Sequence, residues 1–390
     1  MTKRTFRRSA ALRTLGVVLL LAVLILGYFA SIGRDSTDFG VCYKAGQRIK
    51  AGEMLYRPSD GHLQYKYAPV AADFYRLFAF FPWETAKVLW YLLSLAALAA
   101  TGWLTHKLIP EPKKKAGMAL GLAFLVMLKY LGRELQLGQV NILIILMLTA
   151  MSVLFSGKKD FWAGVVWGVS LIFKPYALVF LPYFALKKRL KVLLGGLAAV
   201  TVGLILPAIN YGLRGNWEIL KAWKSSLSQS TPGLLTVGDN ASLFAFVLKV
   251  SRGQWSPGVI AILGLSASAI GLGFLYMMFK KKTLDPRTSE VTELAFLFVL
   301  IPLFSPLGWY YNYLYGFLAV VIMLYRMGEF PAWLKGTAVV NFALIGGTLR
   351  EVLGKTLFRF YTHHSLATLN FLVVLALLFY LQVRPSRQAS

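Results

Sequence analysis

Carboxylates, histidine and cysteine are the scarce components of this 390-residue chain: 16 Asp and Glu stand against 42 Lys and Arg, with 4 His and 1 Cys. The single cysteine, Cys42, excludes an intramolecular disulfide and a cysteine-cluster metal site. The outer acidic residues are too few and too scattered for a site with several carboxylates, so no metal is expected. Also missing are a Gly-x-Gly-x-x-Gly strand-to-helix turn, a Walker lysine loop and a His-Glu-x-x-His pair. No polar segment is long enough for a soluble nucleotide-binding domain. No internal repeat is visible.

Apolar residues are abundant. With 57% hydrophobic residues and a mean hydropathy of +0.61, the chain holds more apolar surface than one soluble core can sequester. An all-α polytopic membrane protein is the fold class expected. The net charge of +26 would suit nucleic acid, but Lys and Arg fall in short clusters between apolar runs, the pattern of membrane-protein loops. No nucleic-acid partner is expected. Met1 to Arg8 is basic and precedes the apolar run Leu15 to Ala30 without a convincing cleavage pattern, which reads as a retained signal-anchor helix.

About twelve crossings are expected, near 12–31, 84–106, 116–131, 139–156, 161–173, 175–186, 190–209, 256–279, 291–305, 309–326, 332–350 and 366–383. The runs 161–173 and 175–186 are short and split by Lys174-Pro175, as broken or re-entrant helices facing a cavity would be. Pro69 to Phe81 mixes aromatics with Asp73 and Arg76, the composition of a juxtamembrane helix in the interface. Clusters at Lys3, Arg4, Arg7 and Arg8, at Lys113 to Lys115, at Lys158 and Lys159, at Lys187 to Arg189 and at Lys280 to Lys282 all fall on one side, which the positive-inside rule makes cytoplasmic. The whole chain, 1–390, then reads as one transmembrane domain with a first outer loop at about 32–83 and a long outer loop at about 210–255. The outer side carries many cations, as a surface that meets an anion would.

Three functions compete for that surface. An enzyme of the membrane interface would act on an anionic lipid carrier. A transporter or flippase for a lipid-linked substrate would show paired halves and ionisable residues at mid-helix, whereas the charges here sit at helix ends. A scaffold would need only soluble loops.

The spacing Asp38…Tyr43…Ala45…Gly52…Leu55-Tyr56…Tyr67…Pro69 resembles the first outer loop of glycosyltransferase family 87, the polyprenol-phosphate-mannose-dependent transferases of the GT-C superfamily. Leu137-Gly138-Gln139-Val140-Asn141, Lys174-Pro175 and Ser305-Pro306-Leu307-Gly308-Trp309 resemble further family features, extending over roughly three quarters of the chain. One departure stands out: Tyr310, Tyr311 and Asn312 follow the last corner, where family members often carry a histidine.

The resemblance implies a GT-C bundle in the plasma membrane. It would transfer a sugar, mannose first among candidates, from a polyprenyl phosphate to a lipid or glycan acceptor at an extracytoplasmic site, without a cofactor. Membrane lipids are the other partners. Such transfer needs a base for the acceptor hydroxyl and cations for the leaving phosphate. Asp38 is the candidate base; its competing role is a helix cap, for which Asp35 is also placed. The candidate phosphate-binding cations are Arg133, Lys174, Lys66, Arg350 and Arg359, with snorkelling to headgroups as their alternative. Tyr43, Tyr67, Gln139, Asn141, Asn240 and His363 are the candidate substrate-binding residues. For the tyrosines the alternative is an interfacial aromatic belt, for Gln139 and Asn141 helix packing, and for His363 simple solvation. Trp217, Trp223, Gln229, Asp239 and Ser242 complete a polar and aromatic set for the acceptor.

Overall fold

The computed structural model describes residues 25–29, 33, 35–109, 113–230, 232–280 and 284–384. Apart from 25–29, the expected first helix and its basic residues Lys3, Arg4, Arg7 and Arg8 lie outside these, as do Lys281, Lys282 and the side chains of Lys113, Lys114 and Gln229. Among the described residues the structure is helical throughout, with a single antiparallel bridge between Asn240 and Trp309.

Chain order gives α1 (Thr37–Lys50), α2 (Pro69–Arg76), α3 (Trp83–Leu108), α4 (Lys113–Leu137), α5 (Asn141–Ser156), α6 (Asp160–Phe173), α7 (Phe180–Leu186) and α8 (Leu190–Ile205). The remainder forms α9 (Ala208–Ser230), α10 (Leu243–Val250), α11 (Pro257–Phe279), α12 (Pro286–Phe304), α13 (Phe317–Tyr325), α14 (Ala332–Gly347), α15 (Arg350–His363) and α16 (Ala367–Val383). Three of these are long and apolar enough to cross a bilayer: α3, the Lys115–Leu137 part of α4, and α11. Counting the bent pairs α8–α9 (91°) and α14–α15 (94°) as one span each raises the number to five. The other apolar helices, α5, α6, Pro175–Leu186, Tyr310–Tyr325 and α16, have 10–17 residues. The sequence leads to twelve crossings because it registers apolar runs, whereas several of those runs form shorter or bent helices.

The polar stretch from 35 to 83 is more structured than its polarity suggests. Residues 37–50 form a two-faced helix that buries Phe39, Cys42, Tyr43, Ala45 and Ile49 and leaves Lys44, Gln47 and Lys50 outside. Likewise, most of the loop at 210–255 is helical, in α9 and α10. α6 and α8 pack backbone to backbone: a Cβ on Gly164 would lie 2.0 Å from the Val192 carbonyl oxygen, and one on Gly195 would lie 2.1 Å from that of Phe161. This close pair carries Lys174 at its end. There the chain leaves helical geometry (φ −145°, ψ 125°) and restarts as a 3-10 turn over Pro175–Val179. The broken helix expected at Lys174-Pro175 is what forms.

Candidate active site

Asp38 occupies the first turn of α1, and the end of α4 is tied to that turn by the Ser36 amide donating to the Gln136 carbonyl at 2.9 Å. The chain then reverses at Gly138, whose φ of +67° favours glycine and whose Cβ, if present, would lie 2.6 Å from the Cβ of Phe39. That approach brings Gln139 onto Asp38: its Nε2 donates to Asp38 Oδ2 at 2.7 Å.

From there one chain of hydrogen bonds runs inward. Lys174 Nζ donates to Gln139 Oε1 at 3.1 Å and to Asn141 Oδ1 at 2.9 Å, and Asn141 Nδ2 donates to Glu134 Oε1 at 2.7 Å. Each amide therefore shows its oxygen to the lysine and its NH2 to a carboxylate, so the network specifies both amide orientations. Asn141, Glu134 and Asn312 are fully buried, and Asn141 also donates to Asn312 at 3.0 Å and accepts from Tyr315 at 3.1 Å. The Lys174 ammonium lies over the rings of Tyr67 and Tyr176, 5.5 and 5.6 Å from their centroids.

Asp38, Gln139 and Lys174 line a cavity of about 690 Å³ together with Lys66, Tyr67 and Tyr311. Much of its remaining lining is apolar, including Leu178, Val179, Leu300, Ile301 and Phe304. Burial raises the Asp38 carboxyl above its ordinary value of 3.8; Lys174, the Gln139 bond and Arg133 act against that rise, and Asp35 adds to it. The N-cap of α1 is Ser36, which makes no side-chain capping bond, and Asp38 stands two residues inside it. The Asp38 carboxylate is turned to Gln139 and the cavity, and the bond nearest to a cap is made by Asp35, whose Oδ1 accepts from the Thr37 amide at 3.4 Å and from the Thr37 hydroxyl at 2.6 Å. Burial lowers the Lys66 ammonium, with Asp38 opposing the shift.

The remaining sequence candidates fall elsewhere. Arg133 pairs with Asp35 at 3.3 Å and donates to Gln136 at 2.7 Å, beside the cavity rather than on its lining. Tyr43 donates to the Phe81 carbonyl at 2.8 Å and packs on Phe39 and Trp83. Asn240 is buried, and its Nδ2 donates to the Pro306 carbonyl at 2.9 Å, bracing the Ser305–Trp309 corner. Arg350, Arg359 and His363 are exposed on α15, away from the cavity lining. Of the acceptor set, Trp223 donates to the Lys66 carbonyl at 2.9 Å, Ser242 caps α10 and Trp217 faces outward. Glu134 escaped the sequence reading although it sits seven residues before Asn141; a carboxylate close ahead of the Gln139–Asn141 pair was the available signal. Tyr311 and Trp309, stacked at 6.4 Å, both line the cavity.

An apolar helical bundle around a lysine, amide and carboxylate cluster defines a polytopic membrane protein with a polar cavity set against apolar walls. The chain belongs to glycosyltransferase family 87, whose family model matches residues 65–306. That segment holds Lys66, Tyr67, Glu134, Gln139, Asn141 and Lys174, whereas Asp38 precedes it. A relative from Mycobacterium tuberculosis (strain ATCC 25618 / H37Rv), the polyprenol-phosphate-mannose-dependent alpha-(1-2)-phosphatidylinositol mannoside mannosyltransferase, is 22% identical over 335 residues, covering 78% of this chain and 74% of that one. No solved structure matches the chain.

Proposed function

We propose that the protein is an integral membrane GT-C hexosyltransferase that moves a sugar, mannose first, from a polyprenyl phosphate to a hydroxyl of a lipid or glycan acceptor. On this reading the helical bundle lies in the plasma membrane, α2 is the juxtamembrane helix, and the site opens on the extracytoplasmic face. The acceptor oxygen attacks the anomeric carbon, the carbon–oxygen bond to phosphate breaks, polyprenyl phosphate leaves, and Asp38 takes the hydroxyl proton. Lys66 and Lys174 meet the charge that develops on the phosphate. The donor brings its own activated leaving group, so the reaction requires no cofactor.

The observation that carries this reading is the shared cavity: Asp38 and Lys174 bridged by one Gln139 amide, beside apolar side chains suited to a polyprenyl chain. The family supports glycosyl transfer, and the relative's name supports a polyprenol-phosphate-mannose donor and a phosphatidylinositol mannoside as the first acceptor to try. The test is to incubate purified, reconstituted protein with radiolabelled polyprenyl-phospho-mannose and candidate lipid acceptors. Label on the acceptor, lost in Asp38→Asn, is expected. Label that only changes leaflet would favour the flippase alternative.

A further inference from the structure

α15 follows the apolar helix α14 after a 94° turn, so it runs across the direction of its predecessor. It breaks at Gly354 (φ 69°, ψ 169°), and beyond that break its residues divide by face. Lys355, Arg359 and His363 recur at four-residue spacing along one side, and all three are exposed. Leu357, Phe360 and Tyr361 fall on the other. That second side is only partly used by the protein: Tyr361 accepts from Asn370 Nδ2 at 2.8 Å and lies 5.2 Å from the Lys129 ammonium, whereas Leu357 and Phe360 are 59% and 54% exposed. Val352, ahead of the break, is 66% exposed. None of Arg350, Lys355 and Arg359 is in an ion pair with a described carboxylate. Among the described residues no side chain covers these apolar groups or pairs with these cations.

A membrane surface supplies both. We propose that α15 lies in the bilayer interface, with Val352, Leu357 and Phe360 among the acyl chains and Arg350, Lys355 and Arg359 holding the headgroups of anionic phospholipids. The right-angle turn after an apolar helix, the division of faces and the unpaired cations fit an anionic lipid surface; a protein partner would have to match all three. This site is separate from the Asp38 cavity and stands whatever reaction that cavity performs.

The test uses the full chain reconstituted in vesicles of phosphatidylcholine with phosphatidylglycerol. A nitroxide on Leu357→Cys should collide with oxygen far more than with a water-soluble nickel chelate, and one on Lys355→Cys should show the reverse; the native Cys42 is buried. After detergent extraction the protein should retain phosphatidylglycerol in preference to phosphatidylcholine. Each charge removed should reduce that preference roughly fivefold, and Lys355→Gln with Arg359→Gln together about thirtyfold. A label at 357 that meets the nickel reagent freely, or is shielded from both reagents as a protein contact would shield it, overturns the proposal. An unchanged lipid preference in the double variant overturns the headgroup assignment.

Discussion

Replacing Asp38 with asparagine removes a proton acceptor while keeping the size of the side chain and an oxygen for the Gln139 amide that now donates to it at 2.7 Å. A positioned general base contributes about 10²–10⁴-fold, or roughly 2.7–5.4 kcal/mol of barrier, so turnover of polyprenyl-phospho-mannose should fall by that factor. Stability should not fall with it. The folded carboxyl titrates above 3.8, so as pH rises through the window between 3.8 and that raised value, the unfolded chain has already released a proton that the fold still holds. The fold loses stability across that window, and at neutral pH the ionised Asp38 is a burden that Asp38→Asn removes. Wild-type kcat/KM should therefore climb with pH through the raised carboxyl value, and the residual activity of Asp38→Asn should lack this limb. The assay pairs radiolabel transfer with thermal unfolding of the same preparations. Less than a tenfold loss of turnover refutes the base assignment, and loss of activity together with a lowered melting temperature makes Asp38 a structural residue.

Lys174→Met should cost about 3–5 kcal/mol, since it leaves Glu134 and Asp38 without the cation buried between them. Adding Glu134→Gln should return part of that loss in thermal unfolding. Gly138→Ala should cost about 1–3 kcal/mol and reduce turnover as well, because its Cβ must push Phe39 away and Gln139 moves with the turn; a fully active, fully stable variant contradicts the account of that turn. Lys66→Ala should lower kcat by roughly tenfold or more, in keeping with the ~1.5–3 kcal/mol of a charge-assisted hydrogen bond that strengthens as the phosphate leaves, with a smaller change in the KM for donor; initial-rate kinetics separate the two.

Composition and periodicity by themselves determined a helical membrane protein, the spans that become α3 and α11, and the break at Lys174-Pro175. These are local properties: apolar run length and the backbone limits of proline act wherever the segment ends up. The buried face of α1 is a tertiary property, because half of its residues are polar and only contact with α2 and the α4–α5 turn reveals which half is inside. Partner choice was likewise decided by the tertiary fold. Arg133 is held by Asp35, Tyr43 by the Phe81 carbonyl and Asn240 by backbone carbonyls, whereas Glu134 and Asn141, distant from Lys174 in sequence, meet it in the interior. A side chain's type sets what bonds it can form. Burial then removes water as the competing partner, and only the packed structure says which bond is left.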